Sequence, residues 1–399
     1  MKGGPFFVRG SPMSAALPFA VPHSDAVPDA AAAVLTIDLA AVVENWRRLA
    51  ALAPKGNCAA VVKADGYGLG AKAVAGALAA DGCRDFFVAV ADEAFALRPS
   101  LPSDARLYVL GGLMGPGAAA AYVAADIRPV LNHLGEIAQW RALAAQLGRS
   151  LPAAVHIDSG MRRLGLGPDE LAVLAENATE LLAGIDVASW MSHLACAEDA
   201  QDPMNAAQLA DFTAALARLP KAPVSFANSS GIFLGAGWLF DLLRPGVALY
   251  GVNPTPGRPN PMRPTVRVDA RVLQVRNVDS PMTVGYGAAH RVGGPSRIAT
   301  VAAGYADGYL RSAGARGVVC FNGAAAPVVG RVSMDLLTVD VGGLAEGAVK
   351  PGDWAQIIGP DIPVDAVAER AGTIGYEILT ALGRRYRRAY GPLGGGNGL

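Results

Sequence analysis

The sequence predicts an α/β fold in which a (β/α)8 TIM barrel is followed by a C-terminal, mostly β region. First, eight short apolar runs alternate with amphipathic segments between residues 58 and 251, as in barrels built from strand–helix units. Second, the apolar runs after about residue 265 follow one another closely and are separated by Gly, Pro and Asp, which is typical of antiparallel strands. With 399 residues, the chain is long enough to fill the cores of two such regions.

The barrel elements are predicted in order along the chain. The eight strands are Cys58–Val62, Phe86–Val90, Arg106–Leu110, Arg128–Leu131, Ala153–Asp158, Val187–His193, Val224–Asn228 and Pro245–Gly251. Between them, apolar residues recur at steps of three and four, which predicts helices such as Leu134–Leu147, Asp169–Leu182 and Asn205–Leu219.

These patterns divide the chain into three regions. Residues 1–33 are rich in Ala and Pro and are predicted to form a flexible extension, in which several prolines and Arg9 argue against a signal peptide. Residues 34–264 are assigned to the barrel and residues 265–399 to the β region. Because the early segment VLTID precedes the eight barrel strands, we expect residues 34–38 to pair with the β region.

Two predicted helices close the chain, at Val364–Ala371 and Glu377–Tyr386. The second runs into the basic sequence RRYRR, which we interpret as a solvated helix end because the whole chain is electrically balanced.

Composition excludes several classes of partner. Lys and Arg together number 34, as do Asp and Glu, so no net charge favours nucleic acid or an anionic membrane. The four cysteines have no spacing typical of a metal site and fit reduced thiols in a cytoplasmic protein. We therefore expect a small-molecule ligand and no metal.

Polar residues stand at the carboxyl ends of several predicted strands. Lys63 follows the first strand in AVVKADGYG, and similar positions are held by Asp158, His193, Ser229 and Arg244. One lysine after a strand is usually a solvated surface residue. Barrel enzymes, however, assemble their sites at this rim, so the gathering of polar groups favours a functional site.

The chain resembles the alanine racemase family through motifs that extend from about residue 34 to residue 390. They are AVVKADGYGLG, DSGMRRLG, SHLACAED, ANSSG, RPGVALYG, VGYG, GYADG, GRVSMD and TIGYE. Members are enzymes with a barrel, a β domain and the cofactor pyridoxal 5'-phosphate (PLP). The resemblance implies interconversion of L- and D-alanine, which supplies D-alanine for peptidoglycan or degrades it.

The resemblance also implies a role for each residue around the cofactor. Lys63 would form a Schiff base with the aldehyde, which needs an amine kept partly deprotonated. Hydroxyl groups and backbone N–H groups suit the phosphate, and the residues implied at the cofactor are Tyr67, Asn228, Ser229, Gly246, Val247 and Tyr376.

Arg244 is implied to face the pyridine nitrogen of the cofactor. Because arginine does not readily give up a proton, it would leave that nitrogen unprotonated and so favour racemisation over transamination. His193 is expected to hydrogen-bond to Arg244 and hold it in place.

The substrate residues are likewise implied by the resemblance. Tyr286 would be the second acid–base, on the face of the substrate opposite Lys63. Arg163 would bind the substrate carboxylate and lower the tyrosine pKa, with the adjacent Arg162 as the alternative. The backbone N–H of Met334 would also meet the carboxylate, and Tyr305 would narrow the entrance.

His156 departs from the family pattern, because some members carry there a lysine that becomes carbamylated and positions the arginine. Imidazole cannot form that carbamate. Arg163 must therefore be oriented by another acceptor or by a bound anion.

The family also implies a head-to-tail homodimer with shared active sites. One alternative is a broad-specificity racemase acting on serine, lysine or arginine, because one extra methylene changes specificity little in an apolar pocket. A non-catalytic PLP carrier is the other alternative, but Tyr286 and the second domain argue against it.

Overall fold

Strands and helices are described here from a computed structural model, over residues 30–115 and 117–393. In chain order the strands are β1 (Ala33–Ile37), β2 (Ala60–Val61), β3 (Asp85–Val88), β4 (Arg106–Val109), β5 (Ile127–Leu131), β6 (Leu151–His156), β7 (Ile185–Met191), β8 (Val224–Ser225), β9 (Val266–Val278), β10 (Thr283–Val284), β11 (His290–Arg291), β12 (Ser296–Val301), β13 (Val318–Phe321), β14 (Ala324–Pro327), β15 (Leu337–Asp340), β16 (Trp354–Ile358) and β17 (Arg387–Tyr390). The helices are α1 (Leu39–Ala50), α2 (Lys63–Tyr67), α3 (Ala71–Ala80), α4 (Ala91–Leu97), α5 (Ala118–Ala124), α6 (Leu134–Leu147), α7 (Pro168–Glu176), α8 (Ala178–Leu181), α9 (Pro203–Leu216), α10 (Val364–Ala371) and α11 (Gly375–Ala381). The predicted extension at residues 1–33 lies outside the described residues as far as residue 29.

The barrel sheet contains seven parallel strands in the order β2-β3-β4-β5-β6-β7-β8. Each strand follows its neighbour in sequence, and helices or turns connect them, as a right-handed strand–helix repeat requires. The α/β class and the barrel are therefore confirmed for the first seven predicted strands, whose bounds differ from the observed ones by a few residues.

The eighth predicted strand, Pro245–Gly251, is wrong as placed, because Val247–Tyr250 forms a turn of 3-10 helix. Residues 241–245 close the ring instead, through backbone hydrogen bonds to β8 on one side and to the residues around β2 on the other. For example, the N–H of Ala59 donates to the carbonyl oxygen of Leu243 at 2.9 Å. The barrel is thus completed by an extended segment a few residues upstream of the predicted strand.

The outer helices pack apolar faces against this sheet. In α1 the Asp38 carboxylate accepts the N–H of Ala41 at 2.9 Å and so caps the helix. Trp46 and Leu49 lie on its buried face. The helix predicted at Asp169–Leu182 is broken at Asn177 into α7 and α8.

A second sheet has the strand order β14-β13-β16-β9-β1-β17, and β12 joins β9 to β15. β9, with 13 residues, is its longest strand. β1 lies between β9, to which it is antiparallel, and β17, to which it is parallel. The first described strand therefore belongs to the sheet formed by the C-terminal part of the chain.

The last helix is shorter than predicted, because α11 ends at Ala381. The RRYRR sequence is not a solvated helix end. Its Arg385 instead donates to the carboxylates of Asp307 and Asp335, and β17 begins at Arg387. The basic residues thus attach the end of the chain to the loops of the second sheet.

The barrel and the second sheet share one buried apolar cluster, which contains Leu35 of β1, Val88 of the barrel and Val268 of β9. Within the described ranges, no helix has the length and apolar character needed to span a membrane. The same residues contain no group of three or more acidic, histidine or cysteine side chains arranged to hold a metal ion.

Candidate active site

Lys63 stands at the carboxyl end of β2, on the turn α2. The next four residues, Ala64–Tyr67, have φ between 53° and 63°, so the backbone forms a left-handed turn that residues other than Gly rarely adopt. Burial and the nearby charge of Arg163 lower the pKa of the Lys63 amine, while Glu93 acts in the opposite direction. The amine therefore releases its proton more readily than that of a surface lysine.

A cradle of hydroxyl and N–H groups is built where the barrel ring closes. The Ser229 hydroxyl oxygen accepts the N–H of Gly246 at 2.9 Å and that of Ala248 at 3.2 Å. Ser229, Gly246 and Val247 are buried. Because its oxygen already accepts two bonds, the Ser229 hydroxyl keeps its hydrogen for another acceptor.

Tyr67 reaches this cradle from the Lys63 turn. A Cβ on Gly246 would lie 2.3 Å from the Tyr67 hydroxyl oxygen, so glycine is required there by close approach. The Tyr67 ring packs on those of Tyr250, with centroids 4.7 Å apart, and Tyr376, at 6.1 Å. The structure thus brings together five of the residues implied at the cofactor from distant parts of the sequence: Tyr67, Ser229, Gly246, Val247 and Tyr376.

Arg244 is a buried cation whose hydrogen-bond partners are neutral. Its guanidinium donates to the Ser225 hydroxyl and, at 2.6 Å, to the carbonyl oxygen of Ser192. Burial lowers its pKa to about 10. No carboxylate pairs with Arg244 among the described residues, so it keeps donor capacity for a ligand that offers an electron pair.

The hydrogen bond expected between His193 and Arg244 is not found among the described side chains, where the guanidinium donates to Ser225 and Ser192 instead. His193 is nevertheless close, since burial and the Arg244 charge set its pKa well below the ordinary value and keep the ring neutral. Its carbonyl oxygen accepts the amide of the buried Gln208 at 2.9 Å.

Asn228 shapes the loop after β8. Its side-chain oxygen accepts the N–H of Gly231 at 2.9 Å, and its amide donates to the carbonyl oxygen of Leu194 at 3.4 Å. Both groups of its side chain are therefore engaged within the protein.

Arg163 lies on a loop that leaves β6 and returns beside it. The Asp158 carboxylate accepts the N–H groups of Gly160 and Arg162, and Gly165, with φ +104°, packs against His156. The Arg163 side chain is exposed, but its charge lowers the pKa values of Lys63 and His156. The loop thus brings Arg163 to the rim that carries Lys63.

His156 is held in one tautomer by Asn132. The Asn132 amide nitrogen donates to the carbonyl oxygens of Leu110 and Val130, so its oxygen faces His156 Nδ1, at 2.9 Å, as an acceptor. His156 Nδ1 must then carry the hydrogen, which leaves Nε2 as an acceptor. Burial, followed by the Arg244 charge, lowers the pKa of this ring to about 4. The ring at this position is therefore neutral and presents Nε2 as an acceptor.

The remaining predicted substrate residues lie on the loops of the second sheet and are exposed. The exposed fractions are 70 % for Tyr286, 52 % for Met334 and 42 % for Tyr305. Among the described residues, the Tyr286 hydroxyl makes no hydrogen bond to Lys63 or Arg163. The basic side chain beside its turn is Arg331, because a Cβ on Gly287 would lie 3.3 Å from Arg331 Nη1.

Met334 and Tyr305 are held together by backbone bonds. The N–H of Tyr305 donates to the carbonyl oxygen of Ser333 at 3.1 Å, and that of Ala306 to Met334 at 2.9 Å. The buried Asp307 accepts the N–H of Gly304 at 2.9 Å, which fixes the start of this turn. The two loops are therefore joined to each other through their backbones.

Sequence reasoning missed four polar residues that support this site: Glu93, Asn132, Gln208 and Ser225. Glu93 carries a recognisable signal, since acids in the first turn of a helix often bind free N–H groups. Ser225 interrupts an apolar strand, which is a weaker signal. Asn132 and Gln208 have none, because their partners come from elements distant in sequence.

Comparison with known proteins places this geometry in a family. The model of the alanine racemase N-terminal domain matches residues 37–254, and that of the alanine racemase C-terminal domain matches residues 265–390. The chain belongs to the alanine racemase family. A family member from Rhodospirillum rubrum, named alanine racemase, is 51 % identical over 371 residues, which cover 93 % of this chain and 99 % of that protein. A second family member, from Agrobacterium fabrum and named catabolic alanine racemase, is 52 % identical. The aligned residues cover 89 % of this chain and 91 % of that protein.

Solved structures of alanine racemases share the fold. That of the Bartonella henselae alanine racemase, with covalently bound PLP, is 43 % identical, has a TM-score of 0.87 and covers 90 % of this chain and 99 % of its own. The biosynthetic alanine racemase of Pseudomonas aeruginosa is 34 % identical, has a TM-score of 0.85 and covers 91 % of this chain and 100 % of that one.

The alanine racemase cofactor, PLP, fits the residues of this site. The cradle at Ser229 and Gly246 offers a free hydroxyl hydrogen and leaves no room for a Cβ, which suits a phosphate. Lys63 offers an amine of lowered pKa, and Arg244 offers donors without a competing carboxylate. An amine can form a Schiff base with the aldehyde of PLP, and a hydrogen-bond donor can bind its ring nitrogen.

Proposed function

We propose that this chain is a PLP-dependent alanine racemase that interconverts L- and D-alanine with Lys63 and Tyr286 as the two bases. The observation that carries the proposal is the placement of Lys63, an amine of lowered pKa, on the turn whose Tyr67 reaches the Ser229–Gly246 cradle. Family membership over residues 37–254 and 265–390 supports the same activity.

PLP, when bound, supplies an electrophilic aldehyde and a conjugated ring that stabilises negative charge at the substrate Cα. Lys63 takes or returns the α-proton on one face, for which its lowered pKa suits it. Arg244 donates a hydrogen bond to the ring nitrogen without transferring its proton, because even its lowered pKa of about 10 keeps it charged at neutral pH. Arg244 would thus leave the ring nitrogen unprotonated, which would favour rapid return of the proton to Cα by Lys63 or Tyr286.

Arg163 binds the substrate carboxylate in this proposal, and the exposed Met334 loop supplies a backbone N–H to the same group. Tyr305 and Tyr376 narrow the entrance. Arg331 lies beside the Tyr286 turn.

The site is completed by a second copy of the chain in a head-to-tail homodimer. Tyr286, Met334 and Tyr305 are exposed in one chain and belong to the second sheet, whereas Lys63 belongs to the barrel. A two-fold axis lets one interface complete two sites.

The product D-alanine serves peptidoglycan synthesis, or the enzyme degrades D-alanine, since relatives carry both biosynthetic and catabolic names. The four cysteines are free thiols, which supports a cytoplasmic location.

A panel of L- and D-amino acids that includes serine, lysine and arginine tests the broad-specificity alternative. Alanine is expected to be turned over best.

The role of the two bases is tested on the purified holoenzyme. Borohydride reduction followed by peptide mapping should find the phosphopyridoxyl group on Lys63. In D2O, Tyr286→Phe should still exchange the α-proton of D-alanine, which Lys63 removes, but should lose exchange of L-alanine. A label on Lys72, the neighbouring lysine of α3, or equal exchange of both enantiomers by Tyr286→Phe, contradicts the proposal.

A further inference from the structure

The turn that carries Lys63 is strained and needs support. Ala64, Asp65 and Tyr67 all have positive φ although they carry side chains, and such backbone persists where surrounding contacts determine it. Within the turn, the Asp65 carboxylate accepts the N–H of Ala71 at 2.9 Å. This bond holds the far end of the turn but not the peptide that follows Lys63.

Glu93, in the first turn of α4, holds that peptide. One carboxylate oxygen accepts the N–H of Ala64 at 2.5 Å, and the other accepts those of Ala89 at 2.8 Å and Val90 at 3.3 Å. A single carboxylate therefore ties the backbone after Lys63 to the end of β3. Carboxylates bind N–H groups about twice as strongly as neutral acceptors do.

The charge of Glu93 also acts on the Lys63 amine. Burial and Arg163 oppose the protonated amine, whereas Glu93 favours it. Glu93 therefore limits how far the pKa of Lys63 falls.

We propose that Glu93 is a positioning residue for Lys63: its carboxylate clamps the left-handed turn to the end of β3 and so fixes the amine at the cofactor and substrate. The proposal deepens the racemase assignment and rests on it for the meaning of Lys63. The clamp itself is a property of the protein backbone and is measurable without any reaction.

Glu93→Gln tests the clamp in the purified holoenzyme, with Asp92→Asn as the matched control. Gln is isosteric but uncharged, and its NH2 group faces N–H donors, so one bond is lost. Amide hydrogen exchange in the peptide spanning residues 60–70 should become roughly tenfold faster. Asp92, the adjacent exposed acid of α4, has no hydrogen bond to the turn in the described chain, and its removal should leave exchange unchanged.

The pH profile of kcat with D-alanine provides a second readout. Loss of the negative charge lowers the pKa of Lys63, so the acidic limb in Glu93→Gln should shift to lower pH by about half a unit to one unit. Glu93→Asp restores the charge but not the reach. It should return the pH profile toward that of the unmodified enzyme and leave exchange fast.

The outcomes separate this proposal from the proposed function. If Glu93→Gln and Asp92→Asn give the same exchange and the same pH profile, Glu93 only caps α4 and the proposal is wrong, while the racemase assignment stands. If the unmodified protein has no racemase activity but Glu93→Gln still loosens the turn, the clamp is real and the function assigned to Lys63 is wrong.

Discussion

At the residue scale, Arg244 shows how a buried charge is tolerated without an opposite charge. Buried arginines are normally paired with carboxylates, because removing a charge from water is costly. Here Ser225 and Ser192 supply neutral acceptors instead. The arrangement leaves Arg244 with donors that no carboxylate occupies among the described residues.

Ser225→Ala is therefore expected to destabilise the protein more than an ordinary loss of a serine. It leaves a charged donor without its partner, which costs about 1.5–3 kcal/mol in the free energy of unfolding. Chemical denaturation of the holoenzyme measures this. The matched control is Ser189→Ala, which removes an equally buried hydroxyl bonded only to the Trp190 carbonyl oxygen and should cost about 1 kcal/mol. Equal costs for the two variants would mean that Ser225 does not support the charge.

His156 gives a second prediction, on acid stability. Its pKa is about 4 in the folded protein and 6.5 in the unfolded chain, because burial, Arg244 and Arg163 outweigh the favourable Asp158. As pH falls from about 6.5 to about 4, the unfolded chain binds the proton first and the folded state loses stability. The loss amounts to about 3 kcal/mol.

His156→Gln removes this titration. The free energy of unfolding of the variant should fall less than that of the unmodified protein between pH 7 and pH 4, by about 3 kcal/mol. The partly exposed His290, changed to Gln, is the control and should leave the pH dependence unaltered. If the free energy of unfolding of His156→Gln and of the unmodified protein changes equally with pH, the assignment of a buried neutral ring at His156 is wrong.

At the element scale, long periodic segments were predictable and short ones were not. The sequence predicted α6 and α10 with the bounds that the structure has, because each carries a strong helical pattern. The eighth barrel strand was misplaced because Pro245 lacks an N–H and the Ser229 hydroxyl takes the next one, on Gly246. That capture depends on a side chain 17 residues away, which no local pattern reveals.

The candidate site divides in the same way. Lys63, Ser229 and Arg244 were predictable because each stands at a strand end within a recognisable motif. The hydrogen-bond partners of Arg244 were not predictable from the sequence. Its guanidinium donates to Ser192 and Ser225 and not to His193, because packing across the barrel determines which groups lie beside it.

The loop that carries Arg163 gives a prediction at this scale. Gly165 has φ +104°, and a Cβ there would lie 2.8 Å from the backbone nitrogen of Asp158. Gly165→Ala should therefore displace the loop, raise KM for alanine about tenfold or more and leave kcat less affected. Gly167→Ala is the control, because a Cβ at Gly167 meets nothing within 4 Å. Steady-state kinetics of both variants measures the effect. An unchanged KM for alanine in Gly165→Ala would show that the loop does not position Arg163.

At the scale of the whole molecule, the groups assigned to the reaction lie on two surfaces of one chain. The barrel rim carries Lys63, Arg163 and Arg244, and the loops of the second sheet carry Tyr286 and Met334. In the proposed head-to-tail dimer, each site takes one set from each chain.

Mixing two inactive variants tests that arrangement. Lys63→Ala and Tyr286→Phe homodimers should each be severely impaired, whereas their heterodimer contains one site with both lesions and one with neither. With random exchange of equal amounts, activity should return to roughly a quarter of the unmodified value, since half of the dimers are mixed and each has one good site. Racemase assays on the mixture, with exchange monitored by mass spectrometry, provide the measurement.

The matched control mixes Lys63→Ala with Arg244→Glu, both on the barrel rim. Every site of that heterodimer keeps one lesion, so no activity should return. If activity returns in this control mixture, shared active sites are contradicted. They are also contradicted if the first mixture regains no activity although mass spectrometry confirms subunit exchange.

The position of β1 between β9 and β17 also has a consequence for how the protein is made. β1 ends at Ile37 and β17 begins at Arg387, so about 350 residues must be synthesised between the two partners. At about 5–20 residues per second, β1 leaves the ribosome roughly 20–70 seconds before β17 exists. Until β9 follows, about 230 residues after β1, the apolar side chains of β1, such as Leu35, have no sheet to join, and chaperones or the growing barrel must cover them.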